Sequence, residues 1–342
     1  MIRLSVDKSL FFDPNKILSH NKHINMIVAN RGYGKTYGTK KFAINRHLKH
    51  GTQFIYIKRH KDDLKNLDNF FDTMRQEFPD NKFEVKGKKF MIDGNPAGEA
   101  IPLSQWQKMK SNEYPDVEVI IFDEFIKEKD LSYYLPNEVE SFLNLLDTIV
   151  RNRDNWWVFM LANAVTMANP YFLYFKLLPK KNQEIYKHGE ILVNIPDNKK
   201  FAQFRKNTAL GKIISGTDYG RFSLENEFKE DGEIFIQKRT PQSKYQCTFS
   251  VGTDVGIKHL GLWYDANLNL LFLSPRVNLN HKNHIATRPE QMLHANSKVS
   301  LSYKDQYYSL KLGKAFLNGE LRFDDIYTRS FGYDLLKKLK VQ

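Results

Sequence analysis

The sequence predicts an α/β protein built around a central β-sheet that is mostly parallel. An apolar segment, Ile24–Val28, runs into a glycine-rich turn and then into a helical pattern from Tyr37 to about His50. A second segment, Val117–Phe122, is almost continuously apolar, as is typical of a strand buried on both faces of a parallel sheet. Ligands bind to such sheets at the carboxyl ends of the strands. We therefore expect the functional residues to follow these two strands.

The turn after the first strand has the sequence ANRGYGKT. Its members are Ala29, Asn30, Arg31, Gly32, Tyr33, Gly34, Lys35 and Thr36. A strand before this pattern and a helix after it are the context in which it binds the phosphates of a nucleotide. Lys35 is then expected at the β- and γ-phosphates of ATP, and the Thr36 hydroxyl on Mg²⁺. Ala29 departs from the usual pattern, which begins with glycine. A surface turn can also contain such a sequence by chance.

Two adjacent carboxylates, Asp123 and Glu124, follow the second apolar segment. Asp123 is predicted to hold Mg²⁺ in a nucleotide-hydrolysing enzyme, and Glu124 is predicted to orient or deprotonate the attacking water. Buried strands often end in acids simply because the chain returns to solvent. The phosphate-binding turn some ninety residues earlier favours the catalytic interpretation.

Other elements follow in order between and after these motifs. The predicted strands are Thr52–Ile57, Lys82–Ile92 and Ala97–Leu103 around an Asp93-Gly94 turn, Trp156–Leu161 and Glu190–Ile195. The predicted helices are Asp62–Phe78, Asn137–Val150 and an aromatic segment from Asn169 to Pro179. A basic cluster, Lys58-Arg59-His60-Lys61, follows the strand at 52–57. One of its cations is placed to contact a phosphate or a neighbouring subunit, and the alternative is a solvated loop that keeps the sheet edge soluble.

Three residues near the end of this region are typical of a ring ATPase. Arg151 and Arg153 follow the helix at 137–150, and Asn163 lies just beyond the next strand. One arginine is predicted to reach the γ-phosphate of a neighbouring subunit, and Asn163 is predicted to sense the phosphate within its own subunit. The alternatives are a helix cap or surface pair for the arginines and a turn residue for Asn163.

Composition limits the class of protein. The chain has 342 residues, of which 52 are Lys or Arg and 39 are Asp or Glu, for a net charge of +13. A polyanion such as nucleic acid is the expected partner. The single cysteine, Cys247, excludes an internal disulfide framework. No apolar run reaches the length of a spanning helix or a signal peptide, so we expect an intracellular protein without a membrane partner.

The chain length and a change of texture predict a division into domains. We assign 1–197 to the nucleotide-binding domain, 198–228 to a linker with helical patches, and 229–342 to a second domain. The predicted strands of the second domain are Ile234–Ile236, Tyr245–Val251, His259–Tyr264 and Leu270–Leu273, followed by a polar loop at 277–298 and helices at 307–318 and 325–340.

Together these segments resemble the DNA-packaging ATPases of small protein-primed tailed phages, the phi-29 type. That family is related to the large terminase subunits and to ring translocases of the FtsK/HerA type. The likeness extends along the whole chain through DKSLFFDPNKILS, NRGYGKT, QFIYIKRHK, IPLSQWQ, VIIFDEFIKEKD, PNEVESFLNLLDTIVRNRD, LANAV, NPYFL, GTDYG and KAFLNGELRFD. It implies a P-loop domain of the RecA-like ASCE class and a smaller α+β domain of the RNase H type.

The resemblance also implies partners and residue roles. The chain is expected to form a homo-oligomeric ring, a pentamer by likeness to the family, in the host cytoplasm and transiently at the portal vertex. There it would drive double-stranded DNA into a preformed capsid with the portal protein and a packaging RNA as partners. Arg151 falls on the arginine finger that acts in trans, Lys61 on a second trans-acting position, and Asn163 on the motif that couples hydrolysis to motion.

The RNase H-type domain raises the question of nuclease activity. An active nuclease of this type holds two metal ions with clustered acids. The strand at 245–251 contains no Asp, and Asp254, Asp265, Asp324 and Asp325 do not form a full set at strand ends. We therefore expect a vestigial nuclease that binds nucleic acid. The alternatives are an active metal-dependent nuclease with an accessory ATPase, or a structural nucleic-acid-binding protein with an inactive P-loop.

Overall fold

The computed structural model describes residues 8–127, 134–135, 137–163, 169–177, 179, 183–197, 199–215, 217, 235–253 and 256–341. The chain forms two compact units. The first contains residues 1–165 and 182–229, and the second contains 166–181 and 230–342. Among the described residues, none of the helices combines the length and the apolar character needed to cross a bilayer.

The first unit is organised around one large sheet. Its strands in the described residues are β1 (Ile24–Ala29), β2 (Gln53–Lys58), β3 (Phe83–Lys86), β4 (Lys89–Ile92), β5 (Asn95–Pro102), β6 (Val117–Asp123), β7 (Trp157–Asn163), β8 (Ile185–His188) and β9 (Ile191–Asn194). Their order is β3-β4-β5-β2-β6-β7-β1-β9-β8. All neighbours from β5 to β9 are parallel, and β3, β4 and β8 extend the two edges antiparallel.

This strand order positions the functional site. β7 lies between β1 and β6, so one strand separates the strand before the glycine-rich turn from the strand that ends at Asp123. That is the ASCE arrangement expected from the resemblance. The central residues of β1, β6 and β7 are buried, as their continuous apolar sequences predict. The carboxyl ends of the three strands therefore bring the turn, the acid pair and Asn163 to one edge.

Helices cover this sheet. In the part of the first unit that the structure describes, the α-helices are α1 (Pro14–Leu18), α2 (Lys35–His50), α3 (Asp72–Glu77), α4 (Glu138–Val150), α6 (Lys199–Lys206) and α7 (Ala209–Ile214). Short 3₁₀ helices span Lys8–Leu10, Lys61–Leu64, Leu67–Phe71 and Leu103–Met109. α2 begins after Gly34 and ends at Gly51, where a φ of 70° lets the backbone turn away while its N–H bonds the carbonyl of His47.

Two predictions for the first unit were wrong in detail. The single helix predicted at 62–78 is two 3₁₀ helices followed by α3, because its buried residues Leu64, Leu67 and Phe70 recur every three positions. The strand predicted at 82–92 is a hairpin of β3 and β4, which turns at Gly87 with a φ of 65°. β8, which pairs with β9, was not predicted.

The second unit contains a smaller sheet. Its strands in the described residues are β10 (Lys244–Thr253), β11 (Gly256–Asp265), β12 (Leu270–Ser274), β13 (His284–Ala286), β14 (Lys298–Val299) and β15 (Leu321–Phe323), in the order β14-β13-β10-β11-β12-β15. β10, β11 and β12 are antiparallel, whereas β13 is parallel to β10 and β14 is parallel to β13. These five strands follow the RNase H-type order. The helices among its described residues are α5 (Pro170–Tyr174), α8 (Tyr307–Leu317) and α9 (Ile326–Lys338), with a 3₁₀ helix at Pro289–Gln291.

The predicted domain boundaries differ from this division in two places. The segment 198–228, interpreted as a separate linker, is grouped with the first unit, since Phe201 of α6 is buried there against Phe11 and Tyr33. Residues 166–181, assigned to the first domain, are grouped with the second. The loop predicted at 277–298 contains β13, and of the strand predicted at 234–236 only Ile236 makes a β-bridge in the described residues, with Phe323.

Candidate nucleotide-binding site

The glycine-rich turn adopts a conformation that depends on both of its glycines. Gly32 and Gly34 have φ values of 85° and 82°, a region that other residues enter only with strain. Ala29 is the last residue of β1 and pairs with Asn163 of β7, so its backbone is extended. The absence of the usual first glycine is therefore explained, because that position does not need a positive φ.

Lys35 is the first residue of α2 and lies over the turn. Its Nζ donates to the carbonyls of Ala29 and Asn30, both at 2.9 Å, and to Asn163 Oδ1 at 3.2 Å. The side chain is buried, with 7% of the residue exposed. Lys35 thus connects the ends of two strands at the site predicted to bind phosphate.

The hydroxyl of Thr36 donates to Asp123 Oδ1 at 3.1 Å. This contact joins the glycine-rich turn to the acid-bearing strand, which lie 87 residues apart in the sequence. The other carboxylate oxygen of Asp123 accepts from the Tyr56 hydroxyl at 2.8 Å. Burial and the charge of Asp123 raise the pKa of Tyr56 well above its ordinary value, so this phenol remains a donor. Hydroxyl and carboxylate oxygens are the ligands that Mg²⁺ prefers, so the donor set fits this ion.

Glu124 extends from the same edge with its side chain 66% exposed. Its backbone is left-handed, with a φ of 61°, directly after β6. The Lys58 ammonium, at the end of β2, lies 3.0 Å from Glu124 Oε2 and 3.4 Å from Asp123 Oδ2. The sequence indicated a basic cluster at this strand end, but did not show which cation faces the acids. The structure identifies Lys58.

These residues surround a cavity of about 290 Å³. Its lining comprises Arg31, Gly32, Gly34, Lys35, Thr36, Tyr37, Asp123, Glu124, Leu161, Ala162 and Asn163. A larger groove begins at Gly34 and runs beside α2, with Phe11, Tyr37 and Phe204 on its walls. Phosphates fit the polar cavity, and aromatic walls of this kind are suited to a flat base.

Arg205 of α6 is a residue at this site that the sequence did not indicate. Its guanidinium donates to the carbonyl of Arg31 and lies 2.7 Å from the position that a Cβ on Gly32 would occupy. Phe201, also on α6, packs edge-on against Tyr33 of the turn at 5.4 Å between ring centroids. The side chain of Tyr33 therefore anchors the turn to α6. The polar pattern of 199–228 gave no signal of this contact.

Arg151 and Arg153 have different surroundings. Arg151 is 54% exposed, lies 3.7 Å from Glu113 and donates to the carbonyl of Asn112. Arg153 donates to four carbonyls, those of Tyr114, Pro115, Val117 and Ile149. The second arginine is thus a structural cap, as its alternative interpretation held. Arg151 lies beside the amino end of β6, whereas Asp123 lies at its carboxyl end.

Lys61 begins the 3₁₀ helix that follows β2, and its side chain is exposed. It does not line the cavity beside Lys35. Its role at a neighbouring subunit stays a prediction.

Comparison with known proteins identifies the family. A family model described as Podovirus DNA encapsidation protein (Gp16) matches residues 6–341. The chain belongs to this family. It is 44% identical over 337 residues to the DNA packaging protein of Bacillus phage phi29, a match that covers 98% of this chain and 100% of that protein. It is 45% identical over 326 residues to the DNA packaging protein of Bacillus phage B103, covering 95% and 100%.

Solved structures of DNA-packaging proteins agree with this fold. The N-terminal domain of the DNA packaging ATPase from bacteriophage phi29 is 49% identical, with a TM-score of 0.54, and the match covers 56% of this chain and 99% of that one. A chain of the phi29 viral genome packaging motor assembly is 42% identical over 96% of this chain and 99% of that one, with a TM-score of 0.64. The phi28 gp11 DNA packaging motor, at 18% identity, shares the fold with a TM-score of 0.68 over 97% and 98%.

The acids considered for a nuclease have structural partners in the second unit. Asp265 accepts from Thr240 and from the backbone N–H groups of Asn267 and Leu268, and Asp324 accepts from the backbone N–H of Arg239. Asp325 caps α9. Asp254 lies outside the described residues. Within the described part of the chain, His, Cys, Asp and Glu side chains do not gather into a group of three or more able to hold a metal ion.

Proposed function

We propose that this chain is an ATP-driven motor that moves double-stranded viral DNA into a preformed capsid. The observation that carries the proposal is the hydrogen bond from Thr36 to Asp123, which joins the phosphate-binding turn to the acid pair in a chain of the DNA encapsidation family. ATP hydrolysis supplies the energy, as the match to the phi29 DNA packaging ATPase supports. The net charge of +13 favours a DNA track.

ATP and Mg²⁺ are the proposed substrate and cofactor. The backbone N–H groups of the turn and the ammonium of Lys35 would bind the phosphates. Thr36 and Asp123 would hold Mg²⁺, which neutralises charge on the phosphates when bound. The aromatic groove beside α2 would receive the base.

Glu124 is the proposed residue that orients and deprotonates the attacking water. Its carboxylate is the one acid lining the described cavity besides Asp123, and most of its surface is exposed to that cavity and to solvent. Asn163 contacts Lys35 directly, which supports a role in coupling phosphate binding to motion.

Part of the site would come from a neighbouring subunit. Arg151 lies at the opposite end of β6 from Asp123, and a strand of seven residues spans about 20 Å. Its guanidinium is therefore too far to act on its own nucleotide and is exposed for action in trans. An arginine finger of this kind accelerates hydrolysis by a factor of about 10³–10⁵ where it has been measured. Lys61, also exposed, is the proposed second trans-acting cation.

The proposed assembly is a homo-oligomeric ring, which we take to be a pentamer. The match to a chain of the phi29 viral genome packaging motor assembly supports work within an assembly. We propose the portal protein and double-stranded DNA as its partners there. We further propose a packaging RNA as partner, and action in the host cytoplasm with transient residence at the capsid portal.

The second unit is proposed to bind nucleic acid without cutting it. Asp265, Asp324 and Asp325 already accept hydrogen bonds from their own unit, which leaves them poorly placed as metal ligands. Plasmid nicking in Mn²⁺ that is lost in Asp254→Ala would overturn this. A structural protein with an inactive P-loop would be indicated instead by the absence of DNA-stimulated ATP turnover.

Subunit mixing tests the trans-acting finger. Arg151→Ala and Lys35→Ala are each expected to lack ATPase activity, whereas a mixture regains part of it because intact half-sites meet. Arg288→Ala removes a similarly exposed arginine that pairs with Glu290, and is the matched control. If Arg151→Ala alone turned over ATP at the wild-type rate, the trans assignment would be wrong.

A further inference from the structure

The backbone at Glu124 is held in an uncommon conformation. Its φ of 61° is costly for a residue with a side chain and persists only when the surroundings impose it. The next residue shows how it is imposed. The Phe125 N–H donates to the carbonyl of Leu161 on β7 at 3.1 Å, and the Phe125 ring is fully buried. The chain therefore turns sharply at Glu124, and the hydrogen bond and the burial of Phe125 hold it immediately afterwards.

The next peptide group, between Phe125 and Ile126, is held by Arg59. Its Nη2 donates to the Phe125 carbonyl at 2.7 Å. Arg59 follows directly after β2, the strand beside β6, and only 4% of the residue is exposed. The guanidinium thus binds the backbone one residue beyond the proposed catalytic residue without lining the cavity itself.

Glu138 fixes the guanidinium in turn. Arg59 Nε and Nη2 lie 2.8 Å and 3.1 Å from Glu138 Oε2 and Oε1, a two-pronged pair. Glu138 is fully buried, begins α4, and also accepts from the backbone N–H of Leu135 at 2.8 Å. The ring of Tyr134 lies 5.0 Å from the guanidinium.

A buried ion pair of this kind needs a reason beyond stability. Removing two charges from water costs about as much as their attraction returns, so an apolar pair of equal size is often as stable. Lysine would also neutralise Glu138, but it lacks the planar fork that can bind a carboxylate with two nitrogens and a carbonyl with a third proton. The guanidinium adds to this ion pair the hydrogen bond to the Phe125 carbonyl.

We propose that Arg59, oriented by Glu138, is a positioning residue that holds Glu124 in its catalytic conformation. The inference rests on the proposed role of Glu124 in activating water. Arg59 does not line the cavity proposed for the nucleotide. It binds the carbonyl of Phe125, the residue after Glu124, and so helps to set the direction in which the Glu124 carboxylate leaves the sheet.

The same contacts give Arg59 a second consequence. Because Glu138 is the first residue of α4 and Arg151 follows its last, one guanidinium joins the Phe125 carbonyl to the helix that precedes the proposed trans-acting arginine.

The test replaces both charges at once, because a single loss leaves an unpaired buried charge that threatens folding. Arg59→Met/Glu138→Leu is expected to keep its thermal midpoint and its affinity for a fluorescent ADP analogue. Its single-turnover hydrolysis rate is expected to fall about 10²-fold, the size of effect that follows from a misplacement of about 1 Å. The matched control is Arg75→Met/Asp72→Leu, which removes another ion pair of the first unit that neither contacts Phe125 nor lines the cavity or the groove. Its single-turnover hydrolysis rate should stay within about twofold of the wild-type rate, since substitutions of exposed residues away from the site have small effects.

A double-mutant cycle with Glu124→Gln separates this inference from the proposed function. If Arg59 acts through Glu124, adding Arg59→Met/Glu138→Leu to Glu124→Gln should lower the residual rate no further. A wild-type rate in the Arg59/Glu138 variant, or losses that multiply with that of Glu124→Gln, would overturn the inference. Full activity in Glu124→Gln itself would instead remove the proposed catalytic role on which it rests.

Discussion

The Lys58 ammonium lies between the two acids of the site, 3.4 Å from Asp123 Oδ2 and 3.0 Å from Glu124 Oε2. Burial lowers the pKa of Lys58, but the charges of Asp123 and Glu124 together raise it above its ordinary value. The ammonium is therefore a fixed positive charge beside the proposed Mg²⁺ ligand. It also ties Glu124 to β2.

Replacing this charge should change the dependence on Mg²⁺. Lys58→Met removes a cation that competes for Asp123, so the Mg²⁺ concentration for half-maximal nucleotide binding should fall about tenfold, equal to about 1.4 kcal/mol. Maximal hydrolysis should fall as well, because Glu124 loses its partner. Mg²⁺ titrations followed by a fluorescent ADP analogue measure the first effect. Lys65→Met, which removes an exposed lysine paired with Asp62, serves as control. Identical Mg²⁺ curves for Lys58→Met and wild type would contradict the electrostatic argument.

The glycine-rich turn should not tolerate a side chain at Gly32. Gly32→Ala adds backbone strain at a φ of 85° and a Cβ 2.7 Å from Arg205 Nη1, and we expect a loss of about 1–3 kcal/mol in nucleotide binding or stability. Gly51→Ala has similar strain at a φ of 70° but no atom within 4 Å, so it measures the effect of backbone strain alone. The difference between the two variants then gives the effect of the steric contact. Calorimetric binding of ADP and thermal unfolding measure both. Gly32→Ala/Arg205→Ala should recover part of the loss, and equal losses for Gly32→Ala with and without Arg205 would show that the steric contact is unimportant.

We expect Asn163 to contribute more to the coupling of ATP hydrolysis to DNA movement than to nucleotide binding. Asn163→Ala removes one of the oxygens that accept from Lys35, while the carbonyls of Ala29 and Asn30 remain. We expect nucleotide affinity within about threefold of wild type, given the modest net value of one hydrogen bond. Stimulation of the ATPase by DNA should be lost. Asn155→Ala, an exposed asparagine that contacts Glu118, is the control. DNA stimulation that survives in Asn163→Ala would rule out the coupling role.

The second unit should lose stability as the pH falls, because of a buried histidine. Burial, followed by the proximity of His294 and His259, lowers the pKa of His284 to about 4. His284 is bonded to Ser250 and Ser297 on its two nitrogens. In the unfolded chain its pKa returns to about 6.5, so the unfolded state takes up the proton first. The stabilising contribution is complete above about pH 6.5 and is lost as the pH falls toward 4.

Thermal unfolding of the full chain between pH 7 and pH 5 measures this effect. The transition assigned to the second unit should move down, and His284→Gln should show a smaller shift over the same range even if its midpoint at pH 7 is lower. His20→Gln removes a histidine of the first unit and should leave the shift unchanged. A wild-type midpoint that does not change with pH would contradict the assignment.

The elements that sequence predicted well are those whose signal is local. β1, β6, β7, α2 and α4 were predicted within about two residues, because buried parallel strands and helices have distinct apolar patterns. The predictions that were wrong concern short elements. The 3₁₀ helices at 61–71 and the β3–β4 hairpin depend on spacing and turn geometry that a helical or strand pattern obscures.

For this protein, sequence alone determined the phosphate-binding turn, the acid pair and their meeting at one sheet edge. A strand–turn–helix motif and a buried strand ending in acids specify their own local conformation and, through parallel pairing, their shared edge. Only the tertiary structure showed which cation faces the acids and which arginine binds backbone carbonyls. It also showed which residues hold the backbone next to Glu124. Lys58, Arg153 and Arg59 stand in ordinary basic runs, and their roles arise from β2, β6 and α4 being brought together. Contacts between residues tens of positions apart have no counterpart in local pattern, so only the folded chain could assign them.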